Sequence, residues 1–141
     1  MQLKHLLPAI LLRALSIPAM LTIGLLAGSG LNAADNPYLM IEGIYTGEVY
    51  NGEDMDPVVT TFVIEPSGRL SGNYRVEEEN GAYSGTLSNI VFDDARSVSM
   101  EWTDKFGEGF AFMEFAPGFA SFTGAWTNKE GENALPWSGK K

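Results

Sequence analysis

The sequence predicts an all-β protein that forms a single eight-stranded antiparallel up-and-down barrel, with a two-sheet β-sandwich as the alternative. Three observations lead to this fold class. Short segments that alternate apolar and polar residues recur about every thirteen residues, the length of one strand and one turn. Gly, Pro, Asn and Asp residues, which favour turns, separate these segments. No segment after residue 34 has the period of an amphipathic helix.

A five-residue pattern marks the predicted strands: a bulky apolar residue, Ser or Thr, Gly, any residue, and a second bulky apolar residue. In an extended strand the first, third and fifth residues share one face. Each glycine therefore lies between two bulky side chains on the inner face. The pattern occurs at Tyr45–Val49, Leu70–Tyr74, Tyr83–Leu87 and Phe122–Trp126, and imperfectly at Trp137–Lys141.

Residues 1–34 have the layout of a secretory signal peptide. Lys4 and Arg13 belong to a basic start, the uncharged apolar stretch 14–27 follows, and small residues ending at Ala34 offer a cleavage site. The alternative is an uncleaved membrane anchor, but this stretch is shorter than the about 20 residues that a helical span requires. We therefore expect an exported protein, periplasmic or secreted.

The mature chain, residues 35–141, is predicted to be one small β-barrel domain that is strongly acidic. It holds all 18 Asp and Glu but only seven of the nine Lys and Arg, which gives a net charge of −11. This charge disfavours nucleic acid and anionic membranes as partners. The mature chain has no Cys, and the single His, His5, lies in the signal, so thiol and imidazole catalysis and the usual zinc ligands are excluded. We expect a monomer with no cofactor and no membrane span after signal removal.

The first four strands follow from alternation and turn residues. Gly43–Tyr50 alternates with period two. Val58–Glu65 is rich in β-branched residues, which favour strands. Arg69–Val76 and Ala82–Val91 carry two copies of the five-residue pattern, and Asn80-Gly81 between them is a hairpin signal.

The last four strands are shorter and richer in aromatic residues. Ser97–Thr103 alternates, and Gly109–Phe115 is apolar on both faces. Phe119–Trp126 follows a Pro-Gly turn, and Leu135–Gly139 ends the domain. Ahead of all the strands, the apolar patch Tyr38–Ile41 is expected to pack across one end of the barrel.

Aromatic residues beside glycines on the inner faces form the candidate ligand site. Such a lining combines apolar area with polar tips and suits a flat or amphipathic small molecule. In the other interpretation, the glycines only make room for aromatic rings from the opposite wall of a filled barrel. The candidate lining residues are Tyr45, Gly72, Tyr74, Tyr83, Gly85, Trp102, Gly124 and Trp126.

Acidic turns are the remaining candidates for chemistry. The loop between the first two strands contains Glu53, Asp54 and Asp56, and a later turn contains Asp93 and Asp94. Clustered oxygen ligands suit Ca²⁺, although the first loop lacks the spacing of an EF-hand. Paired carboxylates can also hydrolyse glycosides, but only across a deep cleft, for which a small barrel has little room. We therefore predict a protein that is not an enzyme, with solvated acidic loop tips.

One short meander of glycine-punctuated aromatic strands resembles the small lipocalin and avidin-type barrels. Leu70-Ser71-Gly72-Asn73-Tyr74 is similar to the strand ends of avidin-like repeats, and Gly43-Ile44-Tyr45 stands where those families place Gly-x-Trp. Here Tyr45 replaces the Trp, and no biotin-contact constellation matches. The resemblance covers the strand rhythm of residues 43–139 and implies a barrel that binds small molecules, with no ligand and no residue role.

Two functional classes remain open besides a carboxylate-only hydrolase. The first is an exported, non-catalytic binding module for an apolar or aromatic small molecule. The second is an envelope interaction or inhibitor protein that uses its acidic loops against a protein partner. A void lined by Tyr and Trp would favour the first class, and a packed core with an apolar patch outside would favour the second.

Overall fold

The structure, a computed structural model, describes residues 36–141, so the predicted signal peptide 1–34 lies outside the described residues. Eight strands pair antiparallel in sequence order, and the first also pairs with the last, which closes the sheet. The predicted up-and-down barrel is therefore confirmed, and the sandwich is not formed. No helix of the described part is long and apolar enough to cross a membrane. The elements are α1 (Tyr38–Ile41), β1 (Gly43–Tyr50), β2 (Met55–Ile64), β3 (Leu70–Glu78), β4 (Gly81–Phe92), β5 (Ser97–Asp104), β6 (Gly107–Phe115), β7 (Ser121–Asn128) and β8 (Leu135–Lys140).

The loop between β1 and β2 is shorter than predicted. Asp56 and Pro57, which we expected in the loop, belong to β2. The reason is a tight turn that Asn51 organises. Its Oδ1 accepts hydrogen bonds from the backbone N–H groups of Glu53 at 2.7 Å and Asp54 at 2.9 Å, so strand pairing resumes at once.

Phe119, predicted to begin the seventh strand, lies instead in the turn before β7. Its φ of 58° is in the left-handed region, which interrupts an extended strand. Its N–H donates to the carbonyl oxygen of Ala116 at 2.9 Å, and its ring stacks on Phe115 with centroids 5.4 Å apart. Tertiary packing of the ring thus favours a turn conformation over the local preference for a strand.

A β-bulge in β4 was not predicted. The pairing of β4 with β5 shifts between Ser88 and Val91, and Asn89 has a φ of 50°. Asn tolerates this region better than most residues because its short polar side chain can bond locally. Here Asn89 Nδ2 donates to Glu101 Oε2 on β5 at 2.6 Å. The bulge bends the 12-residue strand, as closure of a small barrel requires.

The barrel interior has a packed half, at the end that α1 covers. The rings of Tyr45, Phe62, Phe115 and Phe122 meet edge-to-face or tilted, with contacting centroids 5.4–6.2 Å apart. All four side chains are 2% exposed or less, and Ile41 of α1 is fully buried above them. The residues of α1 therefore pack across this end, as the sequence predicts, and leave no space for a ligand there.

Two of the inward glycines, Gly72 and Gly85, accommodate large side chains of the neighbouring strands and not rings from the opposite wall, which was one of the two interpretations of the sequence. Gly85 pairs with Tyr74 on β3, and a Cβ added to Gly85 would overlap the phenol ring. Gly72 lies between Phe62 on β2 and Leu87 on β4, and a Cβ there would be 3.1 Å from each. Directly paired positions bring their side chains within about 5 Å. The absence of a Cβ at Gly72 and Gly85 therefore leaves room for the side chains paired with them.

Candidate ligand-binding site

The end of the barrel opposite α1 contains an open cavity of about 510 Å³. We call it the mouth cavity. Because the strands run up and down, the turns at 51–54, 79–80 and 105–106 all lie at this end. Val49 of β1 and Val76 of β3 also line it. Its aromatic lining includes Tyr74, Tyr83, Trp102, Phe106, Trp126 and Trp137.

Half of the eight candidate residues line the mouth cavity. Sequence alternation correctly placed residues on the inner face but did not indicate their height along the barrel axis. Those that line the cavity are Tyr74, Tyr83, Trp102 and Trp126. Those that do not line it are Tyr45, Gly72, Gly85 and Gly124. Tyr45 lies in the packed half, and its hydroxyl is 3.0 and 2.9 Å from the carbonyl oxygens of Ile41 and Phe119.

The tryptophan rings of the mouth cavity are held in place by hydrogen bonds within the protein. Trp102 and Trp126 also meet edge-to-face, with centroids 5.4 Å apart. The wall therefore presents fixed aromatic surface, and its indole N–H groups are already used. The pairs are Trp102 Nε1 with Thr127 O at 2.8 Å, Trp126 Nε1 with Tyr50 O at 2.9 Å, and Trp137 Nε1 with Thr60 Oγ1 at 3.2 Å.

Carboxylates provide the charged part of the wall. The hydroxyl of Tyr74 donates to Asp104 Oδ2 at 2.7 Å, and the backbone N–H of Phe106 donates to Asp104 Oδ1 at 2.8 Å. These two bonds fix the Asp104 carboxylate at the rim. Glu53 and Glu78 also line the mouth cavity, whereas none of its lining residues in the described part of the chain is Lys, Arg or His.

The phenol groups of the mouth cavity respond to this negative charge. Burial, followed by the hydrogen bond to Asp104, raises the pKa of Tyr74 well above its usual value. Burial, followed by the charges of Asp104, Glu78 and Asp56, raises the pKa of Tyr83 to about 12. Both shifts have the sign that a negative electrostatic potential produces, because it disfavours a second negative charge.

We expect the protein to lose stability as the pH rises from about 10 to about 12. An unfolded tyrosine loses its proton near pH 10, whereas burial raises the pKa of Tyr45 and Tyr83 to about 12 in the folded protein. A raised native pKa means that the contribution to stability is complete below about pH 10 and is lost above it. Urea unfolding across this window measures the loss, and Tyr83→Phe should make it shallower. Equal tyrosinate absorbance of folded and unfolded protein at about pH 11 would contradict the prediction.

The acidic residues considered for Ca²⁺ binding or hydrolysis are engaged in turns. Asp56 Oδ2 accepts a hydrogen bond from Asn51 Nδ2 at 2.6 Å. Asp94, at the packed end, accepts from the backbone N–H groups of Arg96 at 2.9 Å and Ser97 at 2.8 Å, which lowers the pKa of Asp94. Across the described residues, no three His, Cys, Asp or Glu side chains lie together in a way that could hold a metal ion.

Several residues of the mouth cavity were not assigned to the site from the sequence. Trp137 begins only an imperfect copy of the five-residue pattern, and the rim residues Glu78, Asp104 and Phe106 lie in or beside turns, whose acidic tips the sequence predicts to be solvated. A usable signal existed. In an up-and-down barrel, every second turn lies at the same end. The turns after β3 and β5 therefore lie at one end of the barrel, and the turns after β2, β4 and β6 lie at the other.

No protein-family model matches the chain, and a search of curated proteins also finds no match. The resemblance to lipocalin and avidin-type barrels therefore stays at the level of the fold, an eight-stranded antiparallel barrel.

Proposed function

We propose that this protein is an exported, non-catalytic binding module that holds one apolar or aromatic small molecule in the mouth cavity. The observation that supports this function is the asymmetry of the barrel interior. The end beneath α1 is filled by aromatic rings, whereas the other end holds an open cavity of about 510 Å³ lined by Tyr and Trp, some of whose side chains are themselves part of the buried core. Small-molecule sites typically have volumes of about 300–1,000 Å³ and mostly apolar linings with a few polar groups.

The wall of the mouth cavity is already organised for binding. Each indole is anchored by its own N–H, and Tyr74 is anchored by Asp104. Because these side chains do not have to become ordered when a ligand enters, binding loses less conformational entropy than it would at a flexible site. Fixed ring faces and edges suit a flat or elongated apolar body that stacks between them.

Export is part of this proposal and rests on the layout of residues 1–34. The mature domain has no Cys, so its stability does not depend on disulfide formation outside the cytoplasm. The high negative charge keeps such a domain soluble at the concentrations that a ligand carrier requires.

A protein-interaction role is the second candidate function. Phe110 and Phe112 point outward from β6 and are 39% and 48% exposed, which is the kind of apolar surface that a protein partner covers. Acidic loops beside such a surface would add electrostatic complementarity to a basic partner. A pull-down from the envelope fraction, with Phe112→Ser as the control, tests this role.

Tryptophan fluorescence tests the small-molecule function directly. All three Trp residues of the chain line the mouth cavity, so any change in emission reports on this site. Titration with a panel of neutral, cationic and anionic compounds that carry aromatic or apolar bodies should give a saturable shift for at least one compound. The same compound should raise the melting temperature, because it binds only the folded protein.

A matched pair of variants locates the bound compound. Val49→Phe adds a ring inside the mouth cavity, whereas Ile44→Phe adds the same ring on the outside of the same strand, where residue 44 is 62% exposed. We expect Val49→Phe to weaken binding by about tenfold or more, since it fills part of the ligand's space, and Ile44→Phe to leave affinity unchanged. A panel without any shift in emission or melting temperature would reject the function and leave the interaction role.

A further inference from the structure

The mouth cavity offers a ligand many hydrogen-bond acceptors and few donors. The three indole N–H groups and the hydroxyl of Tyr74 all donate within the protein. A ligand carboxylate or carbonyl oxygen would give up its water at this wall without gaining these donors, which is unfavourable. The arrangement therefore disfavours anionic ligands and ligands rich in acceptors.

The acceptors that remain include three carboxylates that form no ion pair within the described residues. Glu53, Glu78 and Asp104 line the cavity, and none of them belongs to an ion pair within the described residues. Their charges add, because they surround one concave space whose low-dielectric walls focus the field. A positive group entering the mouth cavity would gain from all three. The ion pairs of the described residues are Arg75–Glu77 and Lys129–Glu108.

One ammonium group already lies against aromatic rings at this rim. Lys105 Nζ is 4.7 Å from the ring centre of Phe106 and 5.3 Å from that of Tyr83. The two rings meet at 89° with centroids 5.0 Å apart, so they form a corner. A cation within about 6 Å of a ring centre is attracted by the ring. Lys105 is exposed in the β5–β6 turn, so its side chain can move into water when another cation takes its place.

We propose that the ligand of the mouth cavity is an organic cation, an amine or quaternary ammonium attached to an apolar or aromatic body. This inference rests on the proposed function and names the ligand class. The ammonium group binds at the corner of Tyr83 and Phe106, near the carboxylates of Glu78 and Asp104. The apolar body extends inward along the indole rings. Burial is the main cause of the raised pKa of Tyr83, and the charges of Asp104, Glu78 and Asp56 raise it further, which agrees in sign with this negative potential.

Three compounds that share a phenylethyl body and carry a positive, a neutral and a negative head group test the inference. We would measure the binding of 2-phenylethylammonium, 2-phenylethanol and 3-phenylpropionate to the purified protein by isothermal titration calorimetry. The ammonium compound should bind about tenfold more tightly than the alcohol, and the carboxylate should bind most weakly. Added salt should reduce the preference for the ammonium compound, since exposed charges at the rim are screened.

Variants then assign the preference to the rim. Glu78→Gln should lower ammonium affinity severalfold and alcohol affinity much less. Asp104→Asn also weakens the anchor of Tyr74, so it should lower both affinities, with the larger loss for the ammonium compound. Lys105→Met should raise ammonium affinity because it frees both rings. Glu114→Gln removes the same charge from the outer surface near the packed end and should change nothing. If the ammonium and the alcohol bind equally, or if only other neutral compounds of the panel bind, this inference is overturned and the proposed function stands. If no compound of the panel or of this set binds, both are overturned.

Discussion

Replacement of Tyr45 by Ala is expected to lower the free energy of unfolding by about 3–5 kcal/mol, as is typical when a large aromatic side chain is removed from a core. The Tyr45 side chain is fully buried and contacts the rings of Phe62, Phe115 and Phe122 with centroids 5.4–5.9 Å apart. The cavity left by the deletion cannot collapse easily, because closure of the barrel fixes the strands around it. Small domains have a total stability of about 5–15 kcal/mol, so the variant should be close to unfolding.

Two controls separate the causes of this loss. Tyr45→Phe keeps the ring and removes the hydroxyl, which lies 3.0 Å from the carbonyl oxygen of Ile41 and 2.9 Å from that of Phe119. We expect it to cost about 1–2 kcal/mol, the cost of one buried hydrogen bond. Thr46→Ala alters an exposed neighbour and should stay within about 0.5 kcal/mol of the parent. Urea unfolding measures the free energy of unfolding of all three variants. If Tyr45→Ala is as stable as Thr46→Ala, the close packing around Tyr45 is contradicted.

Replacement of Gly124 by Val is expected to destabilise the protein by about 3 kcal/mol or more, at or above the upper end of ordinary overpacking. A Cβ on Gly124 would overlap the carbonyl oxygen of Phe112 and lie 3.1 Å from the Cα of Met113. Both atoms belong to the backbone of β6, which pairs with β7 at this position. A flexible side chain could rotate away, but a paired strand can yield only if ladder hydrogen bonds break.

The neighbouring residue provides the control for Gly124→Val. Thr123→Val places the same side chain on the exposed outer face of β7, where no backbone blocks it, and should change stability by less than about 0.5 kcal/mol. Gly124→Ala should lie closer to the Val variant than to the parent, because the first carbon already meets β6. If Gly124→Val melts at the same temperature as Thr123→Val, the strands are farther apart than the structure describes.

The strands themselves could be predicted because their signals are local. Alternation indicates which residues share a face, and Asn-Gly, Pro-Gly and acidic turn residues indicate where the chain reverses. With a short connection at every turn, sequential antiparallel pairing follows, and closure removes the two open edges. The bulge at Asn89 and the turn at Phe119 could not be predicted in this way. Each depends on a partner from another strand, Glu101 for the first and Phe115 for the second.

The surroundings of the inward glycines could be predicted only in part. Their inward direction follows from period two, but the residue that each one accommodates depends on the register between strands. Gly85 meets Tyr74 from β3, whereas Gly124 meets the backbone of β6. Register is a pairing property of two segments, so neither segment specifies it alone.

Local periodicity and composition are enough to predict the fold class, the strand order, the inner faces and the negative charge. Which of the inward aromatic residues border the cavity depends on the tertiary structure. Tyr45 and Tyr74 both begin or end a copy of the same pattern and both are buried, yet the first is packed beneath α1 and only the second borders the mouth cavity. Their difference is height along the barrel axis, which is set by strand stagger and by contacts between distant residues. One such contact joins Trp126 Nε1 to the carbonyl oxygen of Tyr50, 76 positions earlier, and no local pattern encodes it.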